Sequence, residues 1–286
     1  MLKTVTNGSL TVSADTAGAE LHSVSYKGTE YLWQCGDAWK RYAPVLFPFI
    51  CSPAGKKYRA CGKEYTMPAN HGFARDSQFV SEAAGEGELR FSLSSSEETK
   101  KVYPYDFRLE VSYLLTAENT VTVKNTVYNT GSETMYFYLG GHPAFNCPLA
   151  EGLGFEDYFV EYSQPETVIQ VWNGTRTIIE NERRLPMTRK LFDNDVIMKD
   201  APSSDSVSLK SDKDSRGVTL TWKDSCKCIS VWSPTGDDRA AFVCLEPWTS
   251  VPVYADDEQP DIENKPHAIK LEAGNSFVFE YDITVF

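Results

Sequence analysis

The sequence predicts an all-β protein, one large antiparallel β-sandwich with few short helices, spanning residues 1–286 as a single domain. Three observations carry that reading. Apolar and polar residues alternate with a period of two along most of the chain, and clusters of Gly, Asn, Pro and Ser punctuate the alternating runs. No amphipathic helix longer than a few turns with proper caps is found. The third is the aromatic content: 41% of the 286 residues are apolar and 13% are aromatic. Bulky rings bury much area per residue, so a large core is expected and disorder is not.

Taken in order, residues 10–12, 21–26 and 30–33 alternate as short strands, the last two separated by the Lys27-Gly-Thr turn. Residues 88–93 keep the same period. Residues 107–115, 120–128 and 133–139 follow as three longer strands joined at 117–119 and 129–132, short joints rich in turn formers, which predicts a β-meander. The second half continues with strands at 218–222, 228–232, 241–245 and 276–286, and turn signals at 233–236 and 272–275. The polar stretch 200–216 reads as a loop and a hairpin. No fixed-period repeat and no Ser/Gly/Pro linker divides the chain.

Charge and composition exclude several functions. With 40 Asp and Glu against 28 Lys and Arg the formal net charge is −12, which is the wrong sign for a protein that tracks phosphates, so no nucleic-acid partner is expected. The N-terminus lacks the apolar run of a signal peptide and no stretch reaches the length of a membrane span, so a cytoplasmic protein without a membrane partner is expected. Its seven Cys are then expected as thiols. Only Cys226 and Cys228 are close neighbours, and no second pair or nearby His completes a zinc site, so no metal is expected. The sequons at Asn7 and Asn173 carry no weight in a cytoplasmic protein.

Three segments break the strand rhythm and gather polar residues among apolar ones. The first, residues 39–48, sets Arg41 beside aromatics and two prolines; a solvated rim charge and a ligand contact both fit it. The second, residues 70–76, packs His71, Arg75 and Asp76 into one loop. His71 and Arg75 suit ligand oxygens, and a self-contained Arg–Asp turn fits equally. In the third, residues 139–146, Gly140 and Gly141 allow close backbone approach and Pro143 stiffens the exit, so His142 sits on a rigid element. An imidazole there suits proton transfer near neutrality, and a satisfied core histidine is the competing reading. The carboxylate partner must come from elsewhere. Glu246 ends an apolar strand before Pro247 and Trp248, a position where burial raises a carboxyl pKa and makes a base competent near neutrality; a structural salt bridge is its plain alternative. Trp248 suits the apolar face of a sugar ring, though Trp also fills cores. No G-x-S-x-G elbow, phosphate loop, dinucleotide fingerprint, H-E-x-x-H or EF-hand pattern occurs. Acidic residues are numerous enough for a glycosidase pair, which sequence spacing does not locate.

Together these segments resemble the aldose 1-epimerase (galactose mutarotase) family, most closely its LacX-like branch. The likeness runs over nearly the whole chain: Gly18-Ala-Glu-Leu-His-Ser-Val, Arg41-Tyr-Ala-Pro-Val-Leu-Phe-Pro, His71-Gly-Phe-Ala-Arg-Asp, Gly140-Gly-His-Pro-Ala-Phe-Asn-Cys-Pro, Phe155-Glu-Asp-Tyr, Leu245-Glu-Pro-Trp and Leu271-Glu-Ala-Gly. Each is weak alone, and their shared order is what makes the likeness specific. The resemblance implies the family's large antiparallel supersandwich and its reaction, interconversion of the α and β anomers of a hexose. It implies that His142 is the general acid and Glu246 the general base. By the same likeness His71 hydrogen-bonds the sugar near its ring oxygen and Asp195 binds a hydroxyl. Arg41 and Arg75 would hold further hydroxyls and Trp248 or Phe145 would stack on the ring. No cofactor is implied; the partner is a small-molecule sugar, and the chain a monomer or homodimer. One departure stands out: where many members carry an Arg shortly after the Phe-Pro element, this chain has Ser52, too short to reach as a guanidinium does. Arg41 or Arg75 compensates, or the sugar differs from plain galactose or glucose. The alternative to an enzyme is a non-catalytic carbohydrate-binding protein using the same groove, which has no need of an acid and a base facing one ring.

Overall fold

A computed structural model describes residues 1–171, 174–236 and 239–286; the sequon residue Asn173 lies outside them. The expected antiparallel β-sandwich is what forms. A nine-stranded antiparallel sheet is ordered in space as Arg176–Pro186, Tyr158–Gln170, Ser206–Ser211, Val218–Trp222, Ser276–Val285, Thr120–Asn129, Phe107–Ala117, Glu88–Ser94 and Val80–Glu82. A six-stranded sheet faces it, running Ile197–Asp200, Cys228–Trp232, Phe242–Trp248, Gly140–Gly141 and Val45–Leu46, with Ala144–Asn146 also paired to Phe242–Trp248. A four-stranded sheet from the first 30 residues flanks them. The one α-helix among the described residues is the single turn Glu97–Lys100, started by a reciprocal Ser96–Thr99 capping box. No helix among these residues is long and apolar enough to cross a membrane.

Alternation explains the large sheet. In Phe107–Ala117 the side chains of Leu109, Val111 and Tyr113 point into the core, and Val121, Val123 and Val127 do so from the neighbouring strand. Each such side chain removed from water contributes about 1.5–3 kcal/mol. The turn between these strands is tied down where Asn119 Nδ2 donates to the Val285 carbonyl at 2.8 Å. Of the hairpin expected within 200–216 one strand lies there, Ser206–Ser211, and it pairs with the next expected strand, Val218–Trp222; the turn before Thr29 forms with Lys27 and Gly28 both at positive φ.

The meander holds for its first two strands and fails at the third. The segment expected to continue it pairs over Met135–Phe137 with Ile269–Leu271 instead, and the C-terminal strand takes the place beside Thr120–Asn129. Asn129 explains the departure. Its Nδ2 donates to the carbonyls of Glu133 and Leu271, both at 2.8 Å. Those bonds steer the chain out of the sheet and fasten it to the segment it joins.

Candidate active site

The six-stranded sheet builds the site around one strand. Phe242–Trp248 is buried from end to end, and Glu246 projects from it. On one side Gly140 pairs with Trp248, and a few residues later Ala144 pairs with Cys244. His142 and Pro143 span the gap between these rungs, and Pro143 accepts the Leu245 N–H at 3.2 Å. Acid and base candidates therefore ride on adjacent chain segments, fixed by backbone pairing. The glycines before His142 are required by contact: a Cβ on Gly141 would lie 2.5 Å from the Tyr281 hydroxyl of the facing sheet.

The second wall comes from two segments laced together. Phe73 and Ala74 N–H groups both donate to the Phe47 carbonyl, and the His71 N–H donates to Cys51 O. In return the Cys51 N–H donates to His71 Nδ1 at 2.9 Å. Nδ1 is thus an acceptor, so the neutral ring carries its proton on Nε2, leaving that N–H as a donor for a ligand. His71 is at φ 63° and Gly72 at φ 75°; a Cβ on Gly72 would strike the Phe47 carbonyl oxygen at 2.2 Å. The third wall is the loop bearing Trp39, whose ring stacks on His142 at 5.0 Å between centroids.

These walls enclose a pocket of about 250 Å³ lined in part by His71, Arg75, His142, Asp195, Glu246 and Trp248. Six of the residues singled out in the sequence thus meet in one cleft. Phe145 does not line it, and neither does Arg41, whose guanidinium donates to Asp76 Oδ1 at 2.5 Å and to the Arg75 carbonyl at 3.1 Å. Arg41 holds the loop that carries Arg75. Ser52, at the position where the family often has Arg, bonds Asn70 Oδ1 at 2.6 Å, and Asn70 lines the pocket.

Sequence reasoning missed Trp39, Cys51, Asn70, Val196 and Trp232 as pocket residues. Trp232 packs edge-on against His142, and its indole N–H donates to Asp195 Oδ1 at 2.9 Å. Trp39 lies in the first segment singled out for its polar residues, and Trp232 closes an expected strand beside a Ser-Pro turn. Both positions were visible, but nothing in the residue type separates a pocket Trp from a core Trp.

His142 Nε2 stands 3.2 Å from Glu246 Oε2. His142 is 7% exposed and Glu246 1%. Burial, more than the nearby Arg75 charge, pushes the imidazole pKa down to about 3. Burial also drives the Glu246 carboxyl well above its usual range, with Asp195 adding repulsion and Trp248 opposing. Both shifts disfavour charge, so the couple holds one proton and no net charge across a wide pH span. His71 is driven well below its ordinary value by burial, then by His142 and Arg75. Burial and the neighbouring Arg41 lower the Arg75 pKa, with Asp76 opposing; guanidinium basicity still leaves Arg75 a cation.

The chain is similar to known proteins over nearly its whole length. The aldose 1-epimerase family model matches residues 1–284. The plasmid-encoded protein LacX of Lactococcus lactis subsp. lactis is 33% identical over 98% of this chain and 97% of its own. A galactose mutarotase related enzyme from Lactobacillus acidophilus superposes with a TM-score of 0.91 at 31% identity, covering 100% of this chain and 97% of that one. A galactose mutarotase-like protein from Lactobacillus casei gives 0.89 at 29% identity, with both chains fully covered. A family match over almost the whole length, and a relative of this identity over nearly all of both chains, place the protein: it belongs to the aldose 1-epimerase family and is an isomerase of that class.

Proposed function

We propose that the chain interconverts the α and β anomers of a free hexose, with Glu246 as base and His142 as acid. The observation that carries this reading is the 3.2 Å contact between His142 Nε2 and Glu246 Oε2 at the floor of a polar cleft. A binding protein has no use for a buried acid–base couple held on paired backbone. In the reactive arrangement the couple's single proton is on His142. Glu246 takes the proton of the anomeric hydroxyl while His142 protonates the ring oxygen, and the C1–O5 bond breaks to give the open aldehyde. Rotation about C1–C2 presents the other face. On closure the reversed proton transfers restore carboxylate and imidazolium, so each turnover ends with the couple as it began. In the empty cleft the proton rests on Glu246, because burial favours the uncharged form of both groups.

Around that couple, Arg75 and the His71 Nε2–H donate to sugar oxygens and Asp195 accepts from a hydroxyl. Trp39, Trp232 and Trp248 offer apolar ring faces to the sugar's C–H surface. The cleft brings together one guanidinium, Arg75, and the carboxylate Asp195. Outside it, Arg41 pairs with Asp76, Lys57 with Glu64 and Lys40 with Asp37, and Lys56 Nζ donates to the Pro68 carbonyl at 3.4 Å. This charge balance suits an unphosphorylated sugar.

The test is anomer exchange followed by NMR on glucose, galactose and related aldoses, with the spontaneous rate subtracted. Wild type is expected to accelerate exchange, and His142→Asn and Glu246→Gln are each expected to lose about 100-fold or more of that acceleration. A folded wild type that binds sugars without accelerating any of them would replace this reading with a binding protein.

A further inference from the structure

Beneath the cleft, buried and outside its lining, lies a third ligating side chain that proton transfer does not use. Cys244 lies two residues before Glu246 on the same strand, so the strand period turns both side chains to one face, toward His142. One ligand atom from each of His142, Cys244 and Glu246 lies within 4.8 Å of the other two. All three residues are buried, Cys244 completely. Glu246 Oε2 makes no hydrogen bond among the described residues and faces His142 Nε2 at 3.2 Å, so ligation through these two atoms would replace only the proton they share. A tetrahedral centre with metal–nitrogen and metal–oxygen bonds of about 2.0–2.1 Å and a metal–sulfur bond of about 2.3 Å spaces its ligand atoms by roughly 3.3–3.6 Å. The His142–Glu246 edge is already close to this at 3.2 Å. From the 4.8 Å limit the thiol needs to close by up to roughly 1.3 Å to reach such a sulfur edge.

Charge balance favours a divalent ion. The three groups at rest hold two exchangeable protons, one on the Cys244 thiol and one shared by His142 and Glu246. Replacing both protons with one M²⁺ leaves thiolate, carboxylate and neutral imidazole around the ion. The buried site then carries the same net charge as before, which avoids the cost of an uncompensated charge. Imidazole, thiolate and carboxylate in one set suit a borderline-soft ion and not magnesium or calcium.

We propose that His142, Cys244 and Glu246 form an inhibitory site for a borderline-soft divalent cation such as zinc, entered from the cleft that His142 and Glu246 line. Inhibition rests on the anomerase reading above, because the ion occupies the acid and the base together. Binding itself does not depend on that reading.

Cobalt(II), the spectroscopic stand-in for zinc, separates the two. Titrated into the full chain, it is expected to give saturable visible bands of a four-coordinate ion plus a thiolate-to-cobalt charge-transfer band in the near ultraviolet. Cys244→Ser and Cys244→Ala are both expected to abolish the charge-transfer band and to weaken binding by about tenfold or more. Cys51→Ser, which removes the thiol lining the pocket wall, is expected to leave the band in place. Zinc should displace the cobalt and suppress anomer exchange in proportion to occupancy, a chelator should restore it, and Cys244→Ser should stay active while losing zinc sensitivity. Absence of a saturable spectrum, persistence of the charge-transfer band in both Cys244 variants, or its loss in Cys51→Ser would overturn the site. A chain that gives the spectrum but anomerises no aldose would keep the site and remove the proposed reaction.

Discussion

Trp232 serves the pocket through one hydrogen bond as well as through its ring. The indole N–H fixes the Asp195 carboxylate at 2.9 Å, while the ring packs edge-on against His142. Trp232→Phe keeps most of the packing and deletes the donor. If Asp195 binds a sugar hydroxyl, losing one charge-assisted bond of about 1.5–3 kcal/mol should raise KM by about tenfold or more and leave kcat within a few-fold. Steady-state anomer exchange separates the two constants, and a fall in kcat at unchanged KM would place Trp232 in proton transfer. At this scale the sequence was most readable where a polar residue stood beside glycine or proline, as His71, His142 and Glu246 do. It was least readable for tryptophan. In a chain that is 13% aromatic, a pocket ring carries no mark that a core ring lacks. Arg41 shows the opposite limit, since residue type alone does not tell a sugar-binding guanidinium from one that steadies a neighbouring loop.

The loop carrying Trp39 and Arg41 is anchored on its buried side by the carboxylate of Glu20, alongside the Arg41 bonds to Asp76 and the Arg75 carbonyl. Glu20 accepts the backbone N–H groups of Tyr42 at 2.7 Å and Ala43 at 3.0 Å, and its side chain is buried. Burial raises its pKa while those two N–H groups, then Arg41 and Arg75, oppose the rise. Glu20→Ala would orphan both donors and free the loop, at a cost of about 2–4 kcal/mol by denaturant titration. Anomerase activity should fall with it, as Trp39 leaves the His142 ring. Glu20→Gln keeps an acceptor oxygen and should recover more than half of both losses; equal damage from the two variants would mean that charge, not hydrogen bonding, holds the loop. Elements with plain alternation, such as Phe107–Ala117, Thr120–Asn129 and Val218–Trp222, were legible in sequence. The long pair Tyr158–Gln170 and Arg176–Pro186 was not, because its register shifts at three places and each bulge interrupts the period of two. The hairpin Lys57–Ala60 with Lys63–Thr66 was hidden by its largely exposed, charged strands. The partner of Met135–Phe137 was hidden because pairing far along the chain is decided by tertiary contacts such as those of Asn129.

For the whole molecule, the sandwich buries an acid and a base that would each be more stable in water, and that burial has a pH signature. Glu246 has a raised folded pKa, so its contribution to stability is full below its ordinary value of 4.5 and is lost as pH rises toward the folded value. His142 is depressed from 6.5 to about 3; its contribution is full above 6.5 and is lost as pH falls toward 3. Between 4.5 and 6.5 the two slopes are equal and opposite, because folded and unfolded chains then hold one proton each on the couple. Below 4.5 the unfolded chain takes up a second proton that the folded couple refuses. Above 6.5 the unfolded chain has released both, while the folded couple keeps one. Each imbalance of one proton changes stability by about 1.4 kcal/mol per pH unit. The stability of wild type minus that of the double variant His142→Asn/Glu246→Gln, from urea denaturation across pH, should therefore be level between about 4.5 and 6.5 and decline on both sides. A difference that stays level to pH 8 would mean that the folded couple releases its proton as readily as the unfolded one. Above pH 6.5 the wild type should therefore lose stability relative to the double variant as pH rises, and that variant is expected to be inactive.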